Sequence, residues 1–275
     1  MTKLSIGFSP CPNDTFIFDA LIHGKIDTEG LDFVANIADV EELNQMAFRG
    51  ELDITKLSYN AYLHVLEAYI MMDSGSALGN NCGPLLIKNA GSKNPKETDL
   101  IAIPGKYTTA NFLLNYAFPD LQNKREFLFS DIESAIKNKK VSAGLIIHEN
   151  RFTYADKGFE KVKDLGEFWE QNTGMPIPLG GIGIKRNLEK PLQKKVQRLI
   201  RKSLEFAFKN PSESLTFIKS HAQEMDAEVM QKHINLYVNQ YSLSLNEKAK
   251  AAIQYMYVFL LKKKLITSSD KNLFV

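Results

Sequence analysis

The chain has 275 residues, 44% of them hydrophobic, with 34 Lys and Arg against 32 Asp and Glu for a net charge of +2. That length supports one large domain or two smaller ones. The balanced charge removes any electrostatic case for nucleic acid or an anionic membrane as partner. Two cysteines, Cys11 and Cys82, cannot form a disulfide framework, and no Cys/His spacing suggests zinc or another metal. No window approaches the roughly 18 apolar residues of a membrane span. The first residues lack the apolar core of a signal peptide, so a soluble cytoplasmic protein is expected.

In chain order, Leu4 to Phe8 reads as a strand running into Ser9-Pro10-Cys11-Pro12-Asn13-Asp14-Thr15, a rigid turn that leaves N–H groups available before a helix from Phe16 to Leu21. Leu31 to Ile37 is a second strand. Asp39 to Phe48 reads as a helix with a capping-box pattern of Asp39 and Glu42. Leu52 to Thr55 is a short strand leading into Lys56-Leu57-Ser58-Tyr59. Tyr69 to Met72 and Pro84 to Ile87 read as further strands around a glycine-containing loop, Ser74 to Asn81, which lacks any nucleotide-binding spacing. A polar linker, Lys88 to Thr98, is expected to separate this part from a second series.

That series places strands at Leu100 to Ile103, Phe127 to Phe129 and Ala143 to Ile147. Helices are expected from Thr108-Thr109-Ala110 to Ala117, from Asp131 to Asn138, and around Trp169. A return crossing falls at Gly174 to Ile184. Beyond residue 187 the pattern is helical: Leu192 to Lys209 repeats apolar or small residues at 192, 196, 199, 200, 203, 206 and 207, and Pro211 to His221, Ala227 to Asn239 and Asn246 to Lys264 follow. The expected class is α/β, two lobes with a helical carboxyl-terminal region. Residues 1–95 with 185–275 form the larger lobe and 96–184 the smaller, and a ligand cleft is expected at the double crossing.

His148 is the most informative residue. It ends an apolar strand-length run and is followed by Glu149, Asn150 and Arg151. Ligands of open α/β sheets gather beyond the carboxyl ends of strands, and imidazole titrates near neutrality. The residues alone leave open a histidine that is merely hydrogen-bonded at a strand end. Thr108, Thr109 and Ala110 open a helix whose N–H groups and hydroxyls suit a carboxylate or phosphate, and Ser58 opens another with Lys56 adjacent. Simple N-capping is the competing account for each. Asp14, Asp53 and Glu149 are candidate carboxylates, with Asp14 reading first as a helix-start residue. Cys11 is a candidate nucleophile near a helix start, though no sequence feature pairs it with a base, and His23, His64, His221 and His233 read as cap, core or surface residues.

Together, Ser9 to Phe18, Thr55 to Tyr59, Ser76 to Gly79, Pro104-Gly105 with Thr108-Thr109-Ala110, Ala143 to Tyr154 and the final Leu273-Phe274-Val275 resemble the 1,4-dihydroxy-6-naphthoate synthase family of the futalosine route to menaquinone. The resemblance implies a fold similar to type II periplasmic binding proteins, used as an enzyme. The implied reaction turns cyclic dehypoxanthinyl futalosine into 1,4-dihydroxy-6-naphthoate by carbon–carbon bond cleavage, with no metal or organic cofactor. It places the catalytic base on His148 and substrate binding on Lys56-Leu57-Ser58 and Thr108-Thr109-Ala110, and Asn13 and Asp14 are expected among the substrate-binding residues too. The partner is then a small-molecule substrate, and the protein a monomer or homodimer. Two alternatives share the fold: a solute-binding protein for a small carboxylate, and the related chorismate dehydratase of the same pathway.

Overall fold

A computed structural model describes residues 2–222 and 226–275 of the chain, which divide into two compact units: residues 1–79 with 178–275, and residues 80–177. None of the helices among the described residues is long and apolar enough to cross a membrane.

The first unit opens with β1 (Thr2–Phe8), α1 (Pro12–Ile22), β2 (Leu31–Ile37), α2 (Val40–Phe48), β3 (Ile54–Ser58), α3 (Tyr59–His64), β4 (Tyr69–Met71) and β5 (Ala77–Gly79). The second contains β6 (Leu85–Asn89), β7 (Ile101–Ile103), α4 (Thr109–Ala117), β8 (Lys124–Glu126), α5 (Phe129–Lys137), β9 (Ala143–Ile146), α6 (Asn150–Thr153), β10 (Phe159–Asp164) and α7 (Leu165–Thr173). The chain then re-enters the first unit through β11 (Ile177–Lys185). It ends in α8 (Lys190–Lys209), a 3₁₀ turn at Pro211–Ser214, α9 (Leu215–His221), α10 (Ala227–Tyr237), α11 (Gln240–Leu243) and α12 (Glu247–Lys262).

In the first unit the strand order is β2-β1-β3-β11-β4, with β5 paired to β11. β1 runs parallel to both β2 and β3, whereas β11 is antiparallel to β3 and to β4. β1, β3 and β4 therefore point the same way, and the segments after them share one edge of the sheet. The carboxyl-terminal residues join this sheet too: Phe274 bridges Met71, and the Val275 N–H donates to the Met71 carbonyl. α1 is buried from Pro12 to Leu21, and its apolar residues share one core with the strands and α8. The helical period expected for α8 holds, with Leu204 taking the buried place given to position 206. Ser203 is fully buried and donates to the Ile17 carbonyl at 2.6 Å, so its small side chain ties α8 to α1.

The second unit's sheet runs β10-β6-β9-β7-β8, with β7 parallel to β9 and β8, and β6 antiparallel to β9 and β10. The segments after β7 and β9 therefore share an edge. Here the structure departs from the sequence expectations. The crossings lie at 79–80 and 177–178. Leu85–Asn89, expected in the larger lobe, is instead a central strand of the second sheet. The segment 88–98 is a polar β6–β7 connection within this unit; polarity there marks a loop, while the true crossing includes buried residues such as Leu78, Cys82 and Gly83. A strand falls at Lys124–Glu126 rather than 127–129, because a sheet edge beside β7 accepts charged residues; Phe129 instead starts α5. The Ser74–Asn81 segment is partly strand, as β5. Asp39 caps α2 by accepting from the Glu41 N–H at 3.1 Å.

Trp169 of α7 is fully buried against Phe112 and Tyr116 of α4, and its indole N–H donates to the Pro176 carbonyl. The turn before β6 meets the start of α7 backbone to backbone: a Cβ on Gly83 would lie 2.3 Å from Gly166 Cα and 2.4 Å from its nitrogen. Neither backbone can yield cheaply. Gly83→Ala is expected to destabilise the second unit by roughly 1–3 kcal/mol. Urea denaturation followed by the fluorescence of Trp169, the chain's one tryptophan, measures this directly. An unchanged midpoint would contradict the contact.

Candidate active site

Polar groups gather at the shared strand edge of each unit. In the first unit, α1 starts at Pro12, earlier than expected, and Cys11 is its N-cap without a side-chain cap bond. Asp14 is thereby released from capping. Its carboxylate instead accepts from the Ser9 N–H at 3.1 Å and the Ser9 hydroxyl at 2.7 Å through Oδ2, and from the Asn13 amide at 2.7 Å and the Lys56 ammonium at 2.8 Å through Oδ1. Lys56 comes from β3, parallel to β1, so both ends of this ion pair are delivered by adjacent strands. Lys56 is 5% exposed and Asp14 1%, and Lys56 also donates to the Gly75 carbonyl at 3.2 Å, in the segment after β4. An ammonium has three hydrogens, and these two bonds use two of them.

Ser58 closes β3. Its N–H donates to Asn44 Oδ1 at 3.0 Å and its hydroxyl oxygen accepts from Asn44 Nδ2 at 3.2 Å, so α2 holds it by a reciprocal pair. With its oxygen taken as acceptor, the Ser58 hydroxyl keeps its own proton to donate. Leu57 between them is fully buried and serves the core; its backbone pairs with Gly181 of β11. Next in sequence, Tyr59 lies 2.7 Å from the Ser76 hydroxyl, and burial pushes its phenol well above the ordinary tyrosine range, so it stays neutral.

In the second unit, α4 begins at Thr109 with Thr108 as its N-cap. The Thr108 hydroxyl donates to the Gly105 carbonyl at 2.8 Å and accepts from the Asn111 N–H at 3.2 Å. Those bonds fit the capping account of Thr108. What α4 can offer a ligand is its first-turn N–H groups at Thr109 and Ala110 together with the positive end of the helix dipole.

His148 stands just past β9 with a φ of +57°, in the left-handed region that a non-glycine residue enters at a cost. The half-buried ring makes an edge contact with Phe129 of α5, 4.9 Å between centroids. Beyond it the chain turns at once into α6. Arg151 pins that turn, donating to the Gly83 carbonyl at 2.6 Å and to Asp164 Oδ2 at 2.6 Å. Asp164 in turn caps α7 through the Gly166 and Glu167 N–H groups, both at 3.0 Å. Glu149 is buried next to His148. Asp53, a candidate carboxylate in sequence, instead accepts from the Ser5 N–H and hydroxyl on β1. Cys82 is buried, and burial pushes its thiol up to about 12, which keeps it protonated and unreactive.

Sequence reasoning missed Asn44, Ser9, the Gly75 carbonyl, Phe129, Arg151 and Asp164. Except for Ser9, whose partner Asp14 lies five residues on in the same polar turn, each acts through a partner distant in sequence, so no local spacing announces it. Arg151 was visible only as part of the polar run after His148.

A family model described as menaquinone biosynthesis matches residues 4–261. The chain is 40% identical over 275 residues to a protein of Thermus thermophilus named 1,4-dihydroxy-6-naphthoate synthase, covering 100% of both chains. A crystal structure from Archaeoglobus fulgidus superposes with a TM-score of 0.91 at 35% identity, covering 96% of this chain and 98% of that one. The ligand-binding component of an ABC-type import system from Staphylococcus aureus superposes with a TM-score of 0.73 at 12% identity, covering 100% and 96%. The fold is therefore of the periplasmic-binding-protein type.

Removing one partner of a buried ion pair leaves the other charge without compensation. Asp14→Ala is expected to destabilise the fold by about 3–5 kcal/mol, whereas the double variant Asp14→Leu with Lys56→Met recovers most of that loss. Urea titration by circular dichroism checks it; equal losses in the single and double variants would argue against the pair.

Proposed function

The chain belongs to the 1,4-dihydroxy-6-naphthoate synthase family of menaquinone biosynthesis, and from that membership we propose that it is a carbon–carbon lyase converting cyclic dehypoxanthinyl futalosine into 1,4-dihydroxy-6-naphthoate with His148 as general base. The observation that carries this reading is the conformation of His148. An imidazole held at positive φ beyond a strand end, edge-on to Phe129 and on a turn pinned by Arg151, is a group whose direction is maintained against backbone cost.

The substrate carries a benzoate carboxylate, a carbonyl-bearing spiro ring and a sugar-derived part with hydroxyls. Cleaving a carbon–carbon bond next to a carbonyl requires a base to take a hydroxyl or carbon proton, and donors where enolate charge develops. A well-placed base contributes about 10²–10⁴-fold. Aromatisation of the product supplies driving force. Asp14 balances the charge of Lys56, so Lys56 serves as an oriented donor, and with Ser58 it suits the hydroxyl oxygens of the sugar-derived part. The start of α4 brings N–H groups and the helix dipole, and its first turn carries no acidic residue, so the substrate carboxylate is assigned to Thr109 and Ala110 there. Thr108 shapes that turn, and Asn13 and Asp14 act through Lys56.

The test is incubation with the cyclic futalosine derivative and ultraviolet detection of the naphthoate chromophore. His148→Ala, with its fold intact by circular dichroism, should lower kcat at least ~100-fold. Ser58→Ala should raise KM by roughly 10-fold while leaving kcat closer to its starting value. Turnover by His148→Ala within a few-fold of the unsubstituted protein would remove the base assignment. Tight binding without any new chromophore would favour a solute receptor instead.

A further inference from the structure

The buried hydrogen bonds of the first unit do not stop at Asp14. Asn13, 6% exposed, donates its amide to Asp14 Oδ1, and its Oδ1 lies 2.8 Å from Nε2 of His233 on α10. His233 is fully buried, with its ring 4.6 Å from that of Tyr237. Four side chains thus form one line, His233–Asn13–Asp14–Lys56, with bonds of 2.8, 2.7 and 2.8 Å.

Each member fixes the next. The Asp14 carboxylate only accepts, so the Asn13 amide must present its nitrogen to Asp14 and its oxygen to His233. That oxygen accepts, so His233 must carry a proton on Nε2. Read in the other direction, the histidine N–H is what stops the Asn13 amide from turning. The amide in turn shares Asp14 Oδ1 with Lys56 and so sets the side from which the ammonium can approach.

We propose that His233, from the carboxyl-terminal helices, is a positioning residue for substrate binding: through Asn13 and Asp14 it sets the direction of the Lys56 ammonium. This rests on Lys56 being a substrate donor as assigned above. His233 touches no reacting atom in this account. Its loss weakens an interaction made with substrate and transition state alike, and so acts on KM more than on kcat.

The experiment compares His233→Phe, which keeps a ring beside Tyr237 but removes the donor, with His233→Gln, which restores an N–H of similar reach. Steady-state kinetics are paired with ¹⁵N NMR of the lysine ammonium groups, the Lys56 signal being assigned with Lys56→Met. His233→Phe should raise KM roughly 10-fold with kcat changed less than about threefold, and His233→Gln should return KM most of the way. In the Lys56→Met background His233→Phe should add less than about twofold, because the coupled residues are no longer independent. Without any substrate, His233→Phe should shift or broaden the Lys56 signal. If His233→Phe does not fold, Asn13→Leu breaks the same line and should reproduce the KM rise and the NMR change. An unchanged KM with an unchanged Lys56 signal overturns the proposal, as does a kcat loss without a KM change or full additivity with Lys56→Met. Absence of turnover in the unsubstituted protein would defeat the enzymatic reading, and a KM insensitive to Lys56→Met would defeat the Lys56 assignment; in either case the NMR comparison still decides whether His233 orients Lys56.

Discussion

A lysine placed at the centre of a five-strand path needs compensation before the fold can tolerate it. Lys56 sits on β3, between β1 and β11, with both of its neighbouring strands apolar and its own side chain almost inaccessible. Burying an ammonium costs several kcal/mol unless charge and hydrogen bonds replace water. Asp14 provides the charge and the Gly75 carbonyl a second acceptor, while Ser9 and Asn13 donate to the Asp14 carboxylate. Three sequence segments, after β1, on β3 and after β4, are thereby committed to one another. A helix start that would ordinarily use its aspartate as a cap gives that aspartate up. The stability of such a pair against an apolar replacement is not its justification. What the pair provides is an oriented, desolvated donor at a strand edge.

The two units solve the problem of presenting polar groups differently. In the first, direction comes from a side-chain network: Asn44 grips Ser58 twice, and Asp14 holds Lys56. In the second, direction comes from the backbone. His148 occupies a conformation that its turn would not choose, and Arg151 anchors the following residues to Gly83 and to the aspartate that caps α7. Such strain persists only where surrounding structure over-determines it. The chain of restraint therefore runs from His148 to the packing of α7 and Trp169, well away from the imidazole itself.

Much of this was legible in the sequence, and the exceptions have physical causes. The long apolar runs of β1, β2 and β9 and the helical period of α8 are strong local signals, and the structure has all of them. The charged edge strand β8 was displaced by three residues, since an exposed strand beside β7 carries no apolar pattern to find. Residues 88–98 look like a linker, yet they are a loop, while the real crossing from Gly79 to Asn80 is bordered by buried residues that composition cannot distinguish from core. At the site, Lys56, Ser58 and His148 were visible as chemistry at strand ends. Capping at Thr108 was legible as the competing account, whereas the partnership of Asp14 with Lys56 was not, because sequence lists the candidate bonds of a side chain without deciding among them. Arg151 and Asn44 lie beyond local pattern altogether.

The position of β11 has a consequence for how the chain is made. It is the strand that fits between β3 and β4, yet it is synthesised only after the whole of residues 80–177. As the chain leaves the ribosome, β1, β2 and β3 emerge early with one side of β3 unpaired, and β4 has no neighbour to join until residue 185 is out. Residues 80–177 are contiguous, so that unit has all its strands first. The earlier-made segment must wait with an open edge, then close around a late arrival, and finally receive Phe274 and Val275 against Met71. Translation of residues 80–185 is thus the period in which nascent β3 is most exposed to wrong pairing, and slow assembly of distant strands makes that period long.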